Sequence, residues 1–330
     1  MSSKGRIVVV TGAGGFIGSH LVEALVAEGS RVRALVHYNA EGSIGSLRYV
    51  DRRTLDAIEI VAADVRDPYA MRSLVRGAQT VFHLAALIGI PYSYIAPASY
   101  VETNVGGTLN LLEAARAEGV ERLVVTSTSE TYGTAQYTPI DEVHPAVAQS
   151  PYAATKVGAD QLALSYYRSF DTPVSVVRPF NTFGPRQSER AIIPTIVTQA
   201  VRNGAPLMLG SLDPRRDLLY VTDTVSGFLL LAERPETIGR AVNLGTGTSY
   251  SIREIVEVIG RVVGRELRAV QDTARVRPER SEVLELRADA SVARSLGWKP
   301  QVSLEDGVRR VVDFIRSKPS DAGLPGGYRL

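Results

Sequence analysis

The sequence predicts an α/β protein, a doubly wound parallel sheet followed by a smaller C-terminal lobe, and three observations predict it. Short β-branched runs alternate with helical stretches from Arg6 onwards. A glycine cluster, Gly12, Gly15 and Gly18, falls where the first strand gives way to the first helix. After Pro179 the rhythm loosens into Gly184-Pro185, Gly204 to Pro206 and Asp213-Pro214. Strands that return through helices demand right-handed crossovers, which cover a parallel sheet on both faces.

Taken in order, Ile7-Val8-Val9-Val10 reads as a buried strand, and Ile17, Leu21, Ala24 and Leu25 recur at helical spacing until Gly29, a C′ glycine. Further strands are expected at Val32 to Val36, Ile58 to Val61, Thr80 to Leu84, Arg122 to Thr126 and Val174 to Arg178. Two long helices are expected between the later ones, over about Pro97 to Glu118 and Ser150 to Phe170. In the second part, Ser251-Ile252-Arg253-Glu254 is a capping box ahead of an apolar face at Ile255, Val258, Ile259 and Val262. Leu304, Val308, Val311 and Ile315 mark the last helix, and the Gly-, Pro- and Ser-rich residues 317–330 are expected to form a mobile tail.

The 330 residues leave room for about two domains. At 45% hydrophobic and 22% charged, the composition is that of an ordinary globular protein and excludes wholesale disorder and coiled coil. With 37 Lys and Arg against 35 Asp and Glu, the net charge of +2 advertises neither a nucleic-acid nor a membrane surface. The absence of cysteine removes disulfides, thiolate nucleophiles and Cys-ligated zinc, and none of the four histidines lies in an H-E-x-x-H pattern, so no metal site is expected. Met1 to Arg6 is short and polar, with no targeting segment evident, and apolar runs such as Phe228 to Ala232 fall far short of the roughly 20 residues that cross a bilayer. A cytoplasmic location is the expectation.

The glycines stand in Thr11-Gly12-Ala13-Gly14-Gly15-Phe16-Ile17-Gly18, after an apolar strand and at the start of a helix. That context supplies backbone amides at a helix N-terminus for a pyrophosphate, the dinucleotide-binding feature of a Rossmann sheet. Residues 1–178 are therefore read as a Rossmann domain, with parts of 215–248 returning to it, and 179–316 mainly as a substrate-binding lobe. A ribose-binding acid is expected about 20 residues beyond the glycines, but Leu35-Val36-His37-Tyr38-Asn39 contains none. His37 is a weak cation near neutral pH and has no arginine beside it, so NAD is slightly favoured and NADP stays open. Asp64, after the third strand, is either an adenine contact or a surface turn acid.

Tyr152 and Lys156 stand at i and i+4, on one face of a helix. A phenol titrates near 10, so service as a base at neutral pH needs a shift of about 3 units, roughly 4 kcal/mol, which an adjacent ammonium and an oxidised nicotinamide supply. A lone Y-x-x-x-K is usually a surface pair; here the nucleotide motif stands about 140 residues earlier. The fifth strand ends in Ser127-Thr128-Ser129-Glu130, at the carboxyl end of the sheet where ligands bind. Glu130 is either a base toward carbon or a solvated loop acid; simple hydride transfer needs no carboxylate there.

From about Thr11 to Pro300 the chain resembles the extended short-chain dehydrogenase/reductases that act on nucleotide sugars. Further motifs carry the resemblance: His83-Leu84-Ala85-Ala86, Asn104-Val105-Gly106-Gly107-Thr108, Arg178 to Pro185, Arg216-Asp217 and Asn243 to Gly247. The Thr128-Ser129-Glu130 signature is similar to that of GDP-mannose 4,6-dehydratases and nucleotide-sugar decarboxylases, and plain 4-epimerases usually have a small or hydroxyl residue in place of Glu130. The stretches from Ile90 to Tyr94 and from Arg178 to Arg190, followed by Ile193-Pro194-Thr195, are most similar to NAD-dependent 4,6-dehydratases of the legionaminic acid type. Decarboxylases usually carry arginine after the motif lysine, where this chain has Val157.

The resemblance implies an enzyme, an NDP-sugar 4,6-dehydratase of the hydro-lyase class with an internally recycled nicotinamide. The alternatives are an NDP-uronic acid C4 decarboxylase, an NDP-sugar 4-epimerase and, against the intact Tyr152 and Lys156, a non-catalytic nucleotide-binding protein on the same fold. Its cofactor contacts would be Gly12, Gly15, Phe16, Ile17, Gly18, His37, Asp64, Val65, Leu84, Ala85 and Ala86, with Tyr152 and Lys156. Tyr152 would take the 4-hydroxyl proton, Lys156 would hold the ribose, and Thr128 would bond the 4-oxygen. Glu130 would remove the C5 proton before water leaves C6, and Ser129 stands where some dehydratases have an aspartate that protonates the leaving hydroxyl. Ser93, Asn181, Arg186, Arg216 and Arg277 are the expected contacts to the nucleotide-diphosphate sugar, and a homodimer through the two long helices is expected.

Overall fold

The computed structural model describes residues 5–202, 206–275 and 283–317. The first half alternates strand and helix: β1 (Ile7–Thr11), α1 (Phe16–Ala27), β2 (Arg31–His37), α2 (Arg52–Asp56), β3 (Ile58–Ala63), α3 (Pro68–Val75) and β4 (Thr80–His83). Then come α4 (Ile90–Ile95), α5 (Pro97–Tyr100), a π-turn (Val101–Gly106), α6 (Gly107–Ala117), β5 (Arg122–Thr126), α7 (Pro151–Phe170) and β6 (Val174–Pro179). The remainder contains β7 (Asn181–Phe183), α8 (Ile192–Arg202), β8 (Leu207–Leu209), β9 (Arg215–Tyr220), α9 (Val221–Glu233) and β10 (Ala241–Leu244). It closes with β11 (Ser249–Ser251), α10 (Ile252–Val263), β12 (Ala269–Gln271), β13 (Glu285–Leu286), α11 (Ser291–Ser295) and α12 (Leu304–Ser317).

Seven parallel strands form the central sheet in the order β10-β6-β5-β4-β1-β2-β3, the doubly wound arrangement the alternation predicts. Both faces are covered, which is why the strands read as unbroken apolar runs. Val8 and Val10 of β1 pack with Leu21 and Leu25 of α1 and Phe228 of α9, while Val9 points the other way into a core with Leu74, Leu111 and Ala163. In the lobe, β9 pairs with β11, β13 and β7, and a third core gathers Ile196, Leu218, Ile255, Ile259 and Val311. Ser251 caps α10 as expected, with the reciprocal Glu254 bond to the Ser251 amide at 2.7 Å.

The helix expected over Pro97 to Glu118 differs in one respect: its middle is the π-turn, which carries Asn104. No helix among the described residues is long and apolar enough to cross a membrane. The tail, beyond Ser317, lies outside the described residues.

Candidate active site

The sheet order reverses between β1 and β4, and a doubly wound sheet opens its ligand crevice at the carboxyl ends of such a pair. The loop after β1 and the segment after β4 close on one another there. Gly12 has φ +69°, and a Cβ at that position would stand 2.8 Å from the Ala85 nitrogen and the Leu84 carbonyl carbon. A Cβ on Gly18 would stand 2.2 Å from the Gly12 oxygen, so these two glycines are dictated by the loop's own backbone. Gly15 is the N-cap of α1 and offers no side-chain cap, and no acid occupies the first turn. An uncapped helix start free of negative charge is fitted to a pyrophosphate, and Phe16 and Ile17 are its first residues. Gly12, Gly15, Phe16, Ile17 and Gly18 are thus assembled next to Leu84, Ala85 and Ala86.

At the outer end of the crevice, His37 closes β2 and its Nε2 lies 4.0 Å from an Asp64 carboxylate oxygen. Asp64 accepts from the Arg66 guanidinium, at 2.7 Å from Nη2, and from the Arg66 amide at 2.9 Å, which together hold its carboxyl below the usual range. It therefore closes its own turn as well as facing His37. Val65 is buried, and Asn110 of α6 donates to the Val65 and Arg66 carbonyls at 3.1 and 2.9 Å, fixing that turn against the helix.

The long helix α7 begins at the Ser150 cap, whose hydroxyl accepts from the Ala153 amide at 3.1 Å. One face of it presents Tyr152, Lys156 and, one turn further on, Asp160, all buried. The Lys156 ammonium donates to the Thr126 carbonyl at the end of β5 at 2.6 Å. Burial lowers its pKa, and the Asp160 carboxylate works against that. Burial also pushes the Tyr152 phenol up, a Thr128 hydrogen bond pulls it back, and the Glu130 charge adds to the rise. Thr128 Oγ accepts the Glu130 amide at 3.2 Å, which leaves its own proton for the phenol oxygen. Thr128, Glu130 and Tyr152 thus form one cluster, with Glu130 half-buried and Ser129 buried beside it.

Sequence reasoning assigned no role to the polar chain behind this cluster. Thr11 Oγ accepts the Leu84 and Ala85 amides, both at 3.1 Å, so its proton goes to His83 Nδ1 at 2.8 Å. His83 must then carry its proton on Nε2, which donates to Thr108 Oγ at 3.1 Å, and Thr108 donates in turn to the Asn104 carbonyl at 2.6 Å. This counting requires a neutral imidazole, and burial next to the Lys156 charge lowers the His83 pKa to about 3. Asn104 brackets Leu87, accepting its amide at 2.8 Å and donating to its carbonyl at 3.0 Å, and also donates to Thr155 Oγ at 3.0 Å. The signal was present in the segments His83 to Ala86 and Asn104 to Thr108, which read as motifs without a physical task.

The expected substrate contacts divide. Asn181 stands on β7, and its buried side-chain oxygen receives no donor from the described residues. Arg216 is buried on β9, with Nη1 donating to the Arg215 and Val283 carbonyls at 3.0 and 2.8 Å. Two others are engaged elsewhere. Ser93 is fully buried and donates to the Ile90 carbonyl of its own helix at 2.6 Å. Arg186, at φ +70°, grips Glu23 of α1 at 2.5 and 3.0 Å, so its guanidinium ties the lobe to the first helix. Arg277 lies outside the described residues.

Comparison with known proteins places the chain in a family. The family described as GDP-mannose 4,6 dehydratase matches residues 9–311. The UDP-glucose 4-epimerase of Mycolicibacterium smegmatis is 36% identical over 318 residues, covering 94% of this chain and 98% of that protein. UDP-glucuronic acid decarboxylase 1 of Arabidopsis thaliana is 30% identical over 320 residues, covering 94% and 70%. Among solved structures, the dTDP-glucose 4,6-dehydratase of Streptomyces venezuelae, with NAD bound, superposes with a TM-score of 0.84 at 31% identity, covering 94% of this chain and 97% of that one.

Proposed function

Because the chain belongs to the GDP-mannose 4,6-dehydratase family, whose relatives modify nucleotide sugars, we propose that it is an NAD-dependent nucleotide-sugar 4,6-dehydratase. It converts an NDP-hexose or NDP-N-acetylhexosamine to the 4-keto-6-deoxy sugar. Val157 after the motif lysine disfavours a decarboxylase. One observation carries the choice of elimination over epimerisation: the Glu130 carboxylate shares a turn with Thr128, whose hydroxyl caps the Glu130 amide and bonds the Tyr152 phenol. Epimerisation at C4 takes no proton from carbon, whereas elimination across C5 and C6 does, and Glu130 is the base at hand.

When bound, the nicotinamide supplies a reversible acceptor for the C4 hydride. Gly12, Gly15 and the amides of Phe16 and Ile17 hold its pyrophosphate, and Lys156 holds its ribose. NAD is assigned because a relative of the same fold holds it. Tyr152 takes the proton of the 4-hydroxyl, with the Lys156 charge and the Thr128 proton stabilising the phenolate. The resulting ketone acidifies C5; Glu130 takes the C5 proton and delivers it to the 6-hydroxyl, which leaves as water. Return of the C4 hydride to C6 with uptake of a proton at C5, matched by release of the proton held on Tyr152, gives the 4-keto-6-deoxy sugar with the nicotinamide oxidised again. Ser129 packs beneath this turn, and Asn181 and Arg216 hold the diphosphate. A homodimer through α6 and α7 is part of this reading, in keeping with the exposed apolar side chains Val101, Leu109 and Phe170 on the π-turn and these two helices. Sedimentation equilibrium tests this, a monomer at micromolar concentration refuting it.

The reaction is tested by incubating the purified protein with GDP-, UDP-, dTDP- and CDP-linked sugars, uronic acids included, and weighing the products. Loss of one water without net cofactor consumption is the expected result. Loss of carbon dioxide from a uronic acid, or an isobaric epimer as the sole product, overturns the proposal in favour of a decarboxylase or an epimerase.

A further inference from the structure

Tyr152, Lys156 and Asp160 follow one another at intervals of four along α7, so one helix face carries a phenol, an ammonium and a carboxylate. The carboxylate is the most buried of the three, with no exposed surface. Three donors converge on its Oδ2: Ser127 Oγ at 2.7 Å, and Arg178 Nε and Nη2 at 3.0 Å each. Its Oδ1, equally buried, receives no donor from the described residues. Ser127 directly follows Thr126, whose carbonyl takes the Lys156 ammonium. Arg178 extends the network by donating to the Tyr132 hydroxyl at 3.0 Å, and Tyr132 donates to Asn243 at 2.7 Å.

We propose that Asp160 is a positioning residue for the cofactor ribose: it keeps the buried Lys156 ammonium charged and drawn up against the Thr126 carbonyl before any ligand arrives. The inference rests on the assignment of Lys156 to the ribose. Two requirements lead to it. A lysine with no water around it sheds its proton unless a negative charge is near, and a neutral amine cannot stabilise the Tyr152 phenolate. The surrounding elements offer few alternatives. On β4, His83 is neutral; on β6, Arg178 is a cation; on α7, Tyr152 is an un-ionised phenol in the free protein; and the Glu130 charge acts on Tyr152 from the turn after β5. Among these groups Asp160 is the anion whose charge acts on Lys156, and burial, which raises the Asp160 pKa, is opposed by Arg178, Ser127 and Lys156 together.

The sequence makes a direct measurement feasible, because it contains four lysines, Lys4, Lys156, Lys299 and Lys318. Protein labelled with ¹³C at lysine Cε gives one resonance for each, assigned through Lys156→Met, and the Lys156 resonance is followed from pH 6 to 11 without cofactor. The wild-type protein is expected to hold Lys156 charged throughout pH 7 to 8; a neutral amine at pH 7 overturns the proposal without any variant of Asp160. Asp160→Asn is expected to move the Lys156 midpoint down by about one unit or more and to make NAD affinity, measured by calorimetry, fall off at correspondingly lower pH. Asp160→Glu, which keeps the charge, is expected to restore most of the shift. A folded Asp160→Asn variant with an unmoved Lys156 midpoint overturns the proposal and leaves the dehydratase assignment standing, because no step of the measurement depends on the sugar.

Discussion

The Asn104 carboxamide and the Thr155 hydroxyl meet at 3.0 Å, and Thr155 passes the contact on to the Tyr152 carbonyl at 2.7 Å. A π-turn in one helix is thereby locked to the first turn of the helix that carries the reactive phenol. π-turns place a side chain where a regular helix would not, and here that side chain also brackets Leu87 from both sides. Replacing Asn104 with leucine leaves the Leu87 amide and carbonyl without their partner in a partly buried site. Urea unfolding is expected to register a loss of about 2 kcal/mol or more, and kcat is expected to fall further than KM changes.

For Tyr152→Phe, a drop in turnover of about 10²- to 10⁴-fold is expected with unchanged circular dichroism, since the ring keeps its packing and only the proton carrier goes. Retained turnover would remove Tyr152 from the reaction.

Glu130→Gln separates two steps. Oxidation at C4 uses Tyr152, Lys156 and Thr128 with bound NAD and makes no call on Glu130, so absorbance at 340 nm is expected to rise with substrate. The product mixture should contain no dehydrated sugar, because an amide takes no proton from C5. Unaltered dehydration would assign the elimination to another group.

The strands were legible because both faces of the sheet are covered and each strand is a run of Val, Ile, Leu or Thr. The glycine loop was equally legible, since its place between an apolar strand and a helix marks it and Gly18 is dictated by Gly12 itself, although Gly12 also answers to Leu84 and Ala85 beyond β4. Partners far apart in the chain were not. Arg186 reads as a phosphate ligand until the fold brings Glu23, 163 residues away, within 2.5 Å. Asp160 sits at helical spacing from Lys156, but its anchorage depends on Ser127 and Arg178 arriving from two other strands. The π-turn was hidden for a related reason: residues 97–118 have ordinary helical composition, and the irregularity goes with tertiary bonds of Asn104 to Leu87 and Thr155.

Arg186 and Arg216 test that distinction together. Arg186→Gln breaks a largely buried ion pair, so a stability loss of about 2 kcal/mol is expected while KM for the nucleotide sugar stays within about twofold. Arg216→Met is expected to raise KM about tenfold or more, the loss of a charge-assisted diphosphate contact. The opposite pattern, read from steady-state kinetics and urea titrations, would return Arg186 to the substrate.

His83 ties folding to pH. Its pKa is lowered from 6.5 to about 3 in the folded protein by burial and by the Lys156 charge, so the unfolded chain takes up the proton first as pH falls. The stability it contributes is complete above about pH 6.5, declines as pH drops through that value and levels off near pH 3. Between pH 7 and pH 5 this one imidazole accounts for about 2 kcal/mol. His20, also lowered by burial, adds in the same sense, while Asp160, Asp217 and Glu142, raised by burial, act in the opposite sense because the folded protein protonates them first. A comparison with His83→Gln cancels those shared contributions, and the glutamine amide can donate to Thr108 as Nε2 does. Urea unfolding at both pH values is expected to give a stability difference smaller by about 2 kcal/mol in the variant than in the wild type. Equal differences would mean that His83 is protonated in the fold, and the proton order from Thr11 through His83 to Thr108 would have to be reversed.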